Sequence, residues 1–304
     1  MQNKINEKLN FVFWGTPDVA SETLKILKEN GYIPSLIITS PDKPQGRKMI
    51  ITPPPVKTWA IENNISYFQP ENLRELENIF TTSSQADGPR KAIHQQVDMR
   101  ESKNDLQFDL FVVVAYGKIL PEKLINLPKF GSINIHYSLL PKYRGASPVE
   151  SAILNGDTQT GVTIQKMEFK MDSGPIITLE KAEISPNEKA PDLRKRLIKI
   201  GGELLVKTLP LIIENKIQPI PQNEEEASYC KKIKKEDGLV NLSEEQPSTL
   251  YNKFRAYVSW PRTFFFQKDK RIIITDATLE DEKFVIKKIL PEGKKEIDYK
   301  DFIF

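Results

Sequence analysis

A single cysteine, Cys230, among 304 residues rules out an internal disulfide and any metal site built from clustered thiolates, and a reducing cytoplasm is the expected compartment. Histidine is almost as scarce: His94 and His136 are the only two, so imidazole chemistry has two candidates. Long apolar runs are missing as well. Leu110 to Tyr116 and Leu209 to Ile213 fall far short of the roughly 18 residues that a membrane helix needs. The N-terminal Met-Gln-Asn-Lys-Ile-Asn-Glu-Lys leads into a short strand and a turn, with neither the apolar core nor the cleavage site of a signal peptide. Charge of one sign is also not in excess: 44 Lys and Arg face 41 Asp and Glu, a net +3. A nucleic-acid partner would therefore have to be held by local patches rather than by the field of the whole chain.

What the chain has is enough apolar material for a globular fold, with 39% hydrophobic and 28% charged residues, and a length that favours two domains. Over the first two-thirds, short apolar runs alternate with helix-like segments, the pattern of a parallel sheet covered by helices in an α/β domain. Phe11 to Trp14 reads as a buried strand, and Gly15-Thr16-Pro17 as a tight turn without the glycine spacing of a nucleotide fingerprint. A helix is expected from Asp18 to Asn30, with Thr16 as N-cap, Pro17 at its first position and Gly31 closing it. Further strands are expected at Ser35 to Thr39, Leu110 to Ala115, Ser132 to His136, Gly161 to Met167 and Pro175 to Glu180. Helices are expected near Val56 to Asn63, Pro148 to Leu154 and Ala190 to Leu209. Residues 81–104 turn polar and irregular and read as a surface insertion. Residues 207–227, with Pro219, Pro221 and the run Glu224-Glu225-Glu226, read as a linker region. Arg255 to Val258, Thr263 to Phe266, Arg271 to Thr275 and Lys283 to Ile289 read as strands, which makes 228–304 a small C-terminal β-barrel.

The stretch Ser132-Ile-Asn-Ile-His-Tyr-Ser-Leu-Leu-Pro-Lys-Tyr-Arg-Gly145 carries the chemistry. Residues two apart in a strand share a face, so an amide that donates and an imidazole that exchanges protons converge from Asn134 and His136. That pair suits acyl transfer. Each residue alone also has an ordinary structural reading as an edge amide or a structural histidine, and Asp172 before Ser-Gly can be a turn former.

Several separated segments resemble the methionyl-tRNA formyltransferase family, a branch of the folate-dependent formyltransferases. They are Phe-Trp-Gly-Thr-Pro-Asp at 13–18, Ser-Pro-Asp-Lys-Pro-Gln-Gly-Arg at 40–47, Pro-Pro-Val-Lys at 54–57, Val-Val-Val-Ala-Tyr-Gly-Lys-Ile-Leu-Pro at 112–121, the stretch above, Met-Asp-Ser-Gly at 171–174 and Phe254-Arg-Ala-Tyr-Val-Ser-Trp-Pro261. The resemblance implies a Rossmann-like catalytic domain over 1–206 with a mainly parallel sheet, joined to an OB-like barrel that binds tRNA. It implies transfer of the formyl group of 10-formyltetrahydrofolate, the co-substrate, to methionine on initiator tRNA, with no metal, no membrane and the chain acting as a monomer. Asn134 would then donate to the developing oxyanion, and His136 would aid it and relay protons. Asp172 would orient the imidazole and favour its charged form, or shuttle protons through water. Ser138, Leu139, Leu140 and Pro141 would line the folate pocket, with Val114 to Leu120 as another wall. Arg47 and Lys43, on the basic loop 42–48, would touch the tRNA, while Lys231, Lys232, Lys234 and Lys235 read equally as tRNA contacts or a solvated edge. His94 matches no family position. The alternatives are another formyltetrahydrofolate-dependent formyltransferase or hydrolase, or a tRNA-binding module without catalysis.

Overall fold

The computed structural model describes residues 9–46, 48–81 and 107–302. Arg47, His94 and nearly all of the expected insertion lie outside the described residues. The chain divides into two compact units. One takes Met1–His136, Thr163–Glu180 and Ile198–Gln222, the other Tyr137–Val162, Lys181–Leu197 and Asn223–Phe304.

Strands β1 (Phe11–Gly15), β2 (Leu36–Ile38), β3 (Lys43–Gln45), β4 (Ile50–Thr52), β5 (Tyr67–Phe68), β6 (Leu110–Val114), β7 (Ser132–His136), β8 (Arg144–Gly145), β9 (Gln159–Lys166) and β10 (Ile176–Glu183) form the first part of the chain. Seven of them make one sheet in the order β10-β9-β7-β6-β1-β2-β5. The pairings from β5 to β7 are parallel, and β9 runs antiparallel to β7. Phe11 through Trp14 and Leu110 through Val112 are at most 1% exposed, as strands covered on both faces require. Trp14 packs against Phe111 in a tilted pair and against Tyr116 edge to face, each at a ring separation of 5.3 Å, and the three join Leu36, Ile38, Leu76 and Phe80 in a shared core.

Helix α1 (Asp18–Glu29) shows how local chemistry sets an element. Leu24 and Leu27 are fully buried, each worth roughly 1.5–3 kcal/mol of apolar burial, while Glu22, Lys25 and Lys28 stay outside. Its C-terminus closes as expected. Gly31 takes φ +81° and donates to Lys28 O, and Tyr32 donates to Leu27 O, the paired bonds of a Schellman motif. Its N-terminus differs from expectation: Pro17 holds the cap position without a side-chain bond. The Thr16 hydroxyl is engaged elsewhere, donating to Tyr116 O at 3.2 Å and lying 3.0 Å from Ser40 Oγ.

That hydroxyl joins the segments following β1, β2 and β6. The strand order reverses there, since the chain leaves β1 towards β2 and β5 and returns on its other side at β6. Such a switch point opens a crevice at the carboxyl ends of the strands, where α/β sheets bind their ligands. Near it β3 and β4 pair as a short antiparallel ribbon, with Lys43 opposite Thr52. Its base is anchored at Asp42, whose carboxylate accepts from Gln69 at 2.8 Å and from Lys57 at 2.7 Å. The bonds from Gln69 and then Lys57 hold this carboxyl below the usual range.

The remaining helices are α2 (Pro55–Glu62), α3 (Leu73–Thr81), α4 (Glu122–Ile125), α5 (Pro148–Leu154), α6 (Ala190–Ile213) and α7 (Pro247–Ala256). No helix among the described residues is long and apolar enough to cross a membrane. The C-terminal strands are β11 (Tyr229–Cys230), β12 (Phe264–Gln267), β13 (Lys270–Glu280), β14 (Lys283–Pro291) and β15 (Ile297–Asp298). The last four form an antiparallel sheet around Leu250, Phe254, Ile272, Ile274 and Ile289, which gives the expected small β unit. The strand expected at Arg255 to Val258 is instead the end of α7 and the turn after it. Leu250 and Phe254, four apart on one buried face, decide for helix over the β-favouring Tyr257 and Val258.

Candidate active site

β7 emerges with the expected ends and places Asn134 and His136 on one face. Antiparallel pairing sets Asn134 opposite Gln165 and His136 opposite Thr163, so four polar side chains share that face. His136 is 5% exposed, Gln165 2% and Thr163 0%, whereas Ile133, Ile135 and Ile164 fill the opposite face. Buried polar groups on one side of an otherwise apolar sheet need partners, and two of these, His136 and Gln165, meet a carboxylate.

Asp172 comes from the turn after β9. It adopts φ +54°, a left-handed conformation that aspartate tolerates better than most residues. Its Oδ2 stands 3.8 Å from His136 Nδ1, with side-chain exposures of 13% and 6%. This is ion-pair rather than hydrogen-bond distance. Its Oδ1 accepts from Gln165 Nε2 at 3.0 Å. Gln222 braces the turn, its Nε2 lying 2.9 Å from Asp172 O and 2.7 Å from Gly174 O. The backbone closes with Lys166 N donating to Pro175 O at 2.9 Å.

The sequence therefore names three residues that the fold brings together, Asn134, His136 and Asp172. Gln165 and Gln222 join them without any motif to announce them. The signal available for Gln165 was alternation: Thr163 and Gln165 are the polar members of a strand whose Val162 and Ile164 point the other way. Gln222 sits in what reads as linker. Ser138, Leu139, Leu140 and Pro141 follow His136 along the chain and belong to the second unit. There Ser138 Oγ donates to Lys142 O at 2.6 Å and Lys142 N to Leu139 O, which closes a turn. Lys43 is exposed on β3. Among the described residues no three His, Cys, Asp or Glu side chains group so as to hold a metal ion.

Chemically, the face offers an amide donor, an imidazole and a carboxylate within the first unit, at the strand ends of the sheet. These are the parts for stabilising an oxyanion and moving a proton. The chain matches the formyl transferase model over residues 8–209 and the formyl transferase C-terminal domain model over residues 232–285. It is 37% identical over 271 residues to the methionyl-tRNA formyltransferase of Sulfurihydrogenibium sp. (strain YO3AOP1), covering 89% of this chain and 80% of that protein. It is 33% identical to that of Staphylococcus epidermidis, covering 96% and 94%. Among solved structures it is similar in fold to methionyl-tRNA formyltransferase from Clostridium thermocellum, with TM-score 0.57 and 14% identity over 95% of this chain and 99% of that one. The Helicobacter canadensis N-formyltransferase in complex with folinic acid and dTDP-3-aminofucose aligns at TM-score 0.64 and 20% identity, covering 90% and 89%. At 33–37% identity to proteins covered over 80–94% of their length, and with both models matched in order, the chain belongs to the formyl transferase family.

Proposed function

We propose that the chain transfers the formyl group of 10-formyltetrahydrofolate to the α-amino group of methionine on initiator Met-tRNA, the formylation step of translation initiation. The observation that carries the chemistry is the convergence of Asn134 and His136 on one face of β7, with Asp172 Oδ2 3.8 Å from the imidazole. The extent of likeness to methionyl-tRNA formyltransferases supports the acceptor. On the same reading the reaction runs in the cytoplasm and the chain acts as a monomer.

In this reading the amine attacks the formyl carbon, a C–N bond forms and negative charge gathers on the formyl oxygen. Asn134 donates to that oxygen, a contribution of roughly 10²–10³ in rate. The new ammonium gives up a proton, His136 takes it, and the same proton goes to N10 of the folate as the C–N10 bond breaks. The products are formylmethionyl-tRNA and tetrahydrofolate, with no net proton lost or gained. While the imidazole carries the proton, the Asp172 carboxylate stabilises it. Attraction at about 4 Å is worth roughly 4 kcal/mol at an effective permittivity of 20, before the cost of desolvating the pair. Ser138, Leu139, Leu140 and Pro141 serve the folate.

The ribbon of β3 and β4 serves the tRNA. Lys43 is exposed on it, and Met49, Ile50 and Ile51 are 61–70% exposed, an apolar display beside a cation that suits a partner surface. Replacing Lys43 or Arg47 by alanine is expected to raise KM for Met-tRNA several-fold and to reduce the salt slope by about 1. KM for the folate should stay within twofold; equal weakening of both substrates would count against a tRNA role. The acceptor itself is tested by offering labelled 10-formyltetrahydrofolate with initiator Met-tRNA, elongator Met-tRNA, free methionine and glycinamide ribonucleotide in parallel. Initiator Met-tRNA should be formylated fastest, and a preference for the ribonucleotide would sink the assignment.

A further inference from the structure

The Asp172 carboxylate meets two side chains on opposite oxygens: His136 lies near Oδ2 and Gln165 holds Oδ1. A carboxylate gripped at one oxygen cannot rotate freely about its Cβ–Cγ bond, so the second oxygen stays where the first bond leaves it. The direction of the grip is fixed from further out. Gln222 Nε2 is surrounded by oxygens, at 2.7 Å from Gly174 O, 2.9 Å from Asp172 O and 3.4 Å from Gln165 Oε1. Only an amino group satisfies that environment, since an amide oxygen there would face three acceptors. With its Oε1 turned to Gln222, Gln165 has its own amino group turned to Asp172. The chain of donors thus runs from Gln222 through Gln165 to Asp172 Oδ1.

We infer that Gln165 is a positioning residue for formyl transfer, which aims Asp172 Oδ2 at His136. The hydrogen bond from Gln165 Nε2 to Asp172 Oδ1 is the contact through which it does so. Gln165 acts through Asp172 and not on the substrate. It sits directly opposite Asn134 on β9 and is 2% exposed, so its amide is held in place by the sheet on either side. The inference rests on the formyl-transfer reading above.

The test is a double-mutant cycle between Gln165→Met, which keeps length and removes both polar atoms, and Asp172→Asn. Gln165→Met alone should lower kcat about tenfold, the size of one hydrogen bond to a charged group. Both KM values should stay within twofold, because no substrate contact is removed. In the Asp172→Asn background the same change should have less than a twofold further effect, since the group it positions is already gone. A general structural role would multiply the two losses instead. Gln165→Glu, of the same shape, turns the grip into repulsion between two carboxylates and should cost more than Gln165→Met at neutral pH; it also keeps the question open if methionine does not fold. Thermal midpoints within a few degrees of the parent certify the comparison. An unchanged kcat in either folded variant, or multiplicative losses in the cycle, would overturn the inference. Absence of transfer by the parent chain would instead remove the reading on which it rests.

Discussion

Replacing His136 by alanine is expected to lower kcat about 10²–10⁴-fold while leaving affinity for Met-tRNA within a few-fold of the parent. The imidazole is buried, yet it belongs to the polar face of β7, and the sheet contacts of that strand are made by Ile133 and Ile135, which the substitution leaves in place. The backbone pairing of His136 with Thr163 does not depend on its side chain. On the proposed mechanism, what disappears is the group that carries the proton from the attacking amine to the leaving nitrogen, together with the partner of the Asp172 carboxylate at 3.8 Å. Removing it also leaves that half-buried carboxylate with one fewer partner, so a modest fall in thermal midpoint accompanies the kinetic loss. Single-turnover formylation with enzyme in excess, beside filter binding of Met-tRNA, separates the two quantities. A collapse of tRNA binding that matches the loss of turnover would make His136 a structural residue.

Gly174→Ala is expected to lower kcat about 10²-fold and to depress the thermal midpoint by several degrees. A Cβ on Gly174 would come within 1.8 Å of Lys166 O and 3.0 Å of the same carbonyl carbon. Both obstacles are backbone, so no change of rotamer relieves them and the turn itself must move. Asp172 lies two residues earlier on that turn, and a displacement of about 1 Å at a catalytic group is enough for a loss near 10²-fold. The brace from Gln222 to Gly174 O is disturbed by the same movement. Ser173→Ala provides the control: its hydroxyl only donates to Lys170 O at the surface, and its kcat should stay within twofold. If Gly174→Ala kept both activity and stability, the tight turn would not be what sets Asp172.

How much of this was legible in the chain depends on whether the signal was local. β7 could be read with its correct ends because apolar Ile133 and Ile135 alternate with Asn134 and His136. The Schellman closure at Gly31 was legible because only the residue after the helix cap needs positive φ there. Thr16 was misread as a cap because its hydroxyl partners, Ser40 and Tyr116, are distant in sequence and a local rule cannot see them. The end of α7 was misread because Tyr257 and Val258 carry strand propensity, while packing of Leu250 and Phe254 decided the matter. In the site, Asn134 and His136 pair by spacing alone, whereas Asp172 enters through family resemblance, since 36 residues and a strand reversal separate it from His136. Alternation along β9 marks Gln165 as a polar-face residue, but its place opposite Asn134 needed the register between β7 and β9, which no pattern within either strand contains.

On the proposed mechanism these residues pass a formyl group to an amine rather than to water. One measurement addresses it directly: a stoichiometric reaction of 10-formyltetrahydrofolate with initiator Met-tRNA, in which tetrahydrofolate, free formate and tRNA-linked formylmethionine are all quantified. The expected result is one formylmethionine for each tetrahydrofolate, with formate at the uncatalysed background. Tetrahydrofolate released together with equal formate, and no formylmethionine on the tRNA, would contradict the account.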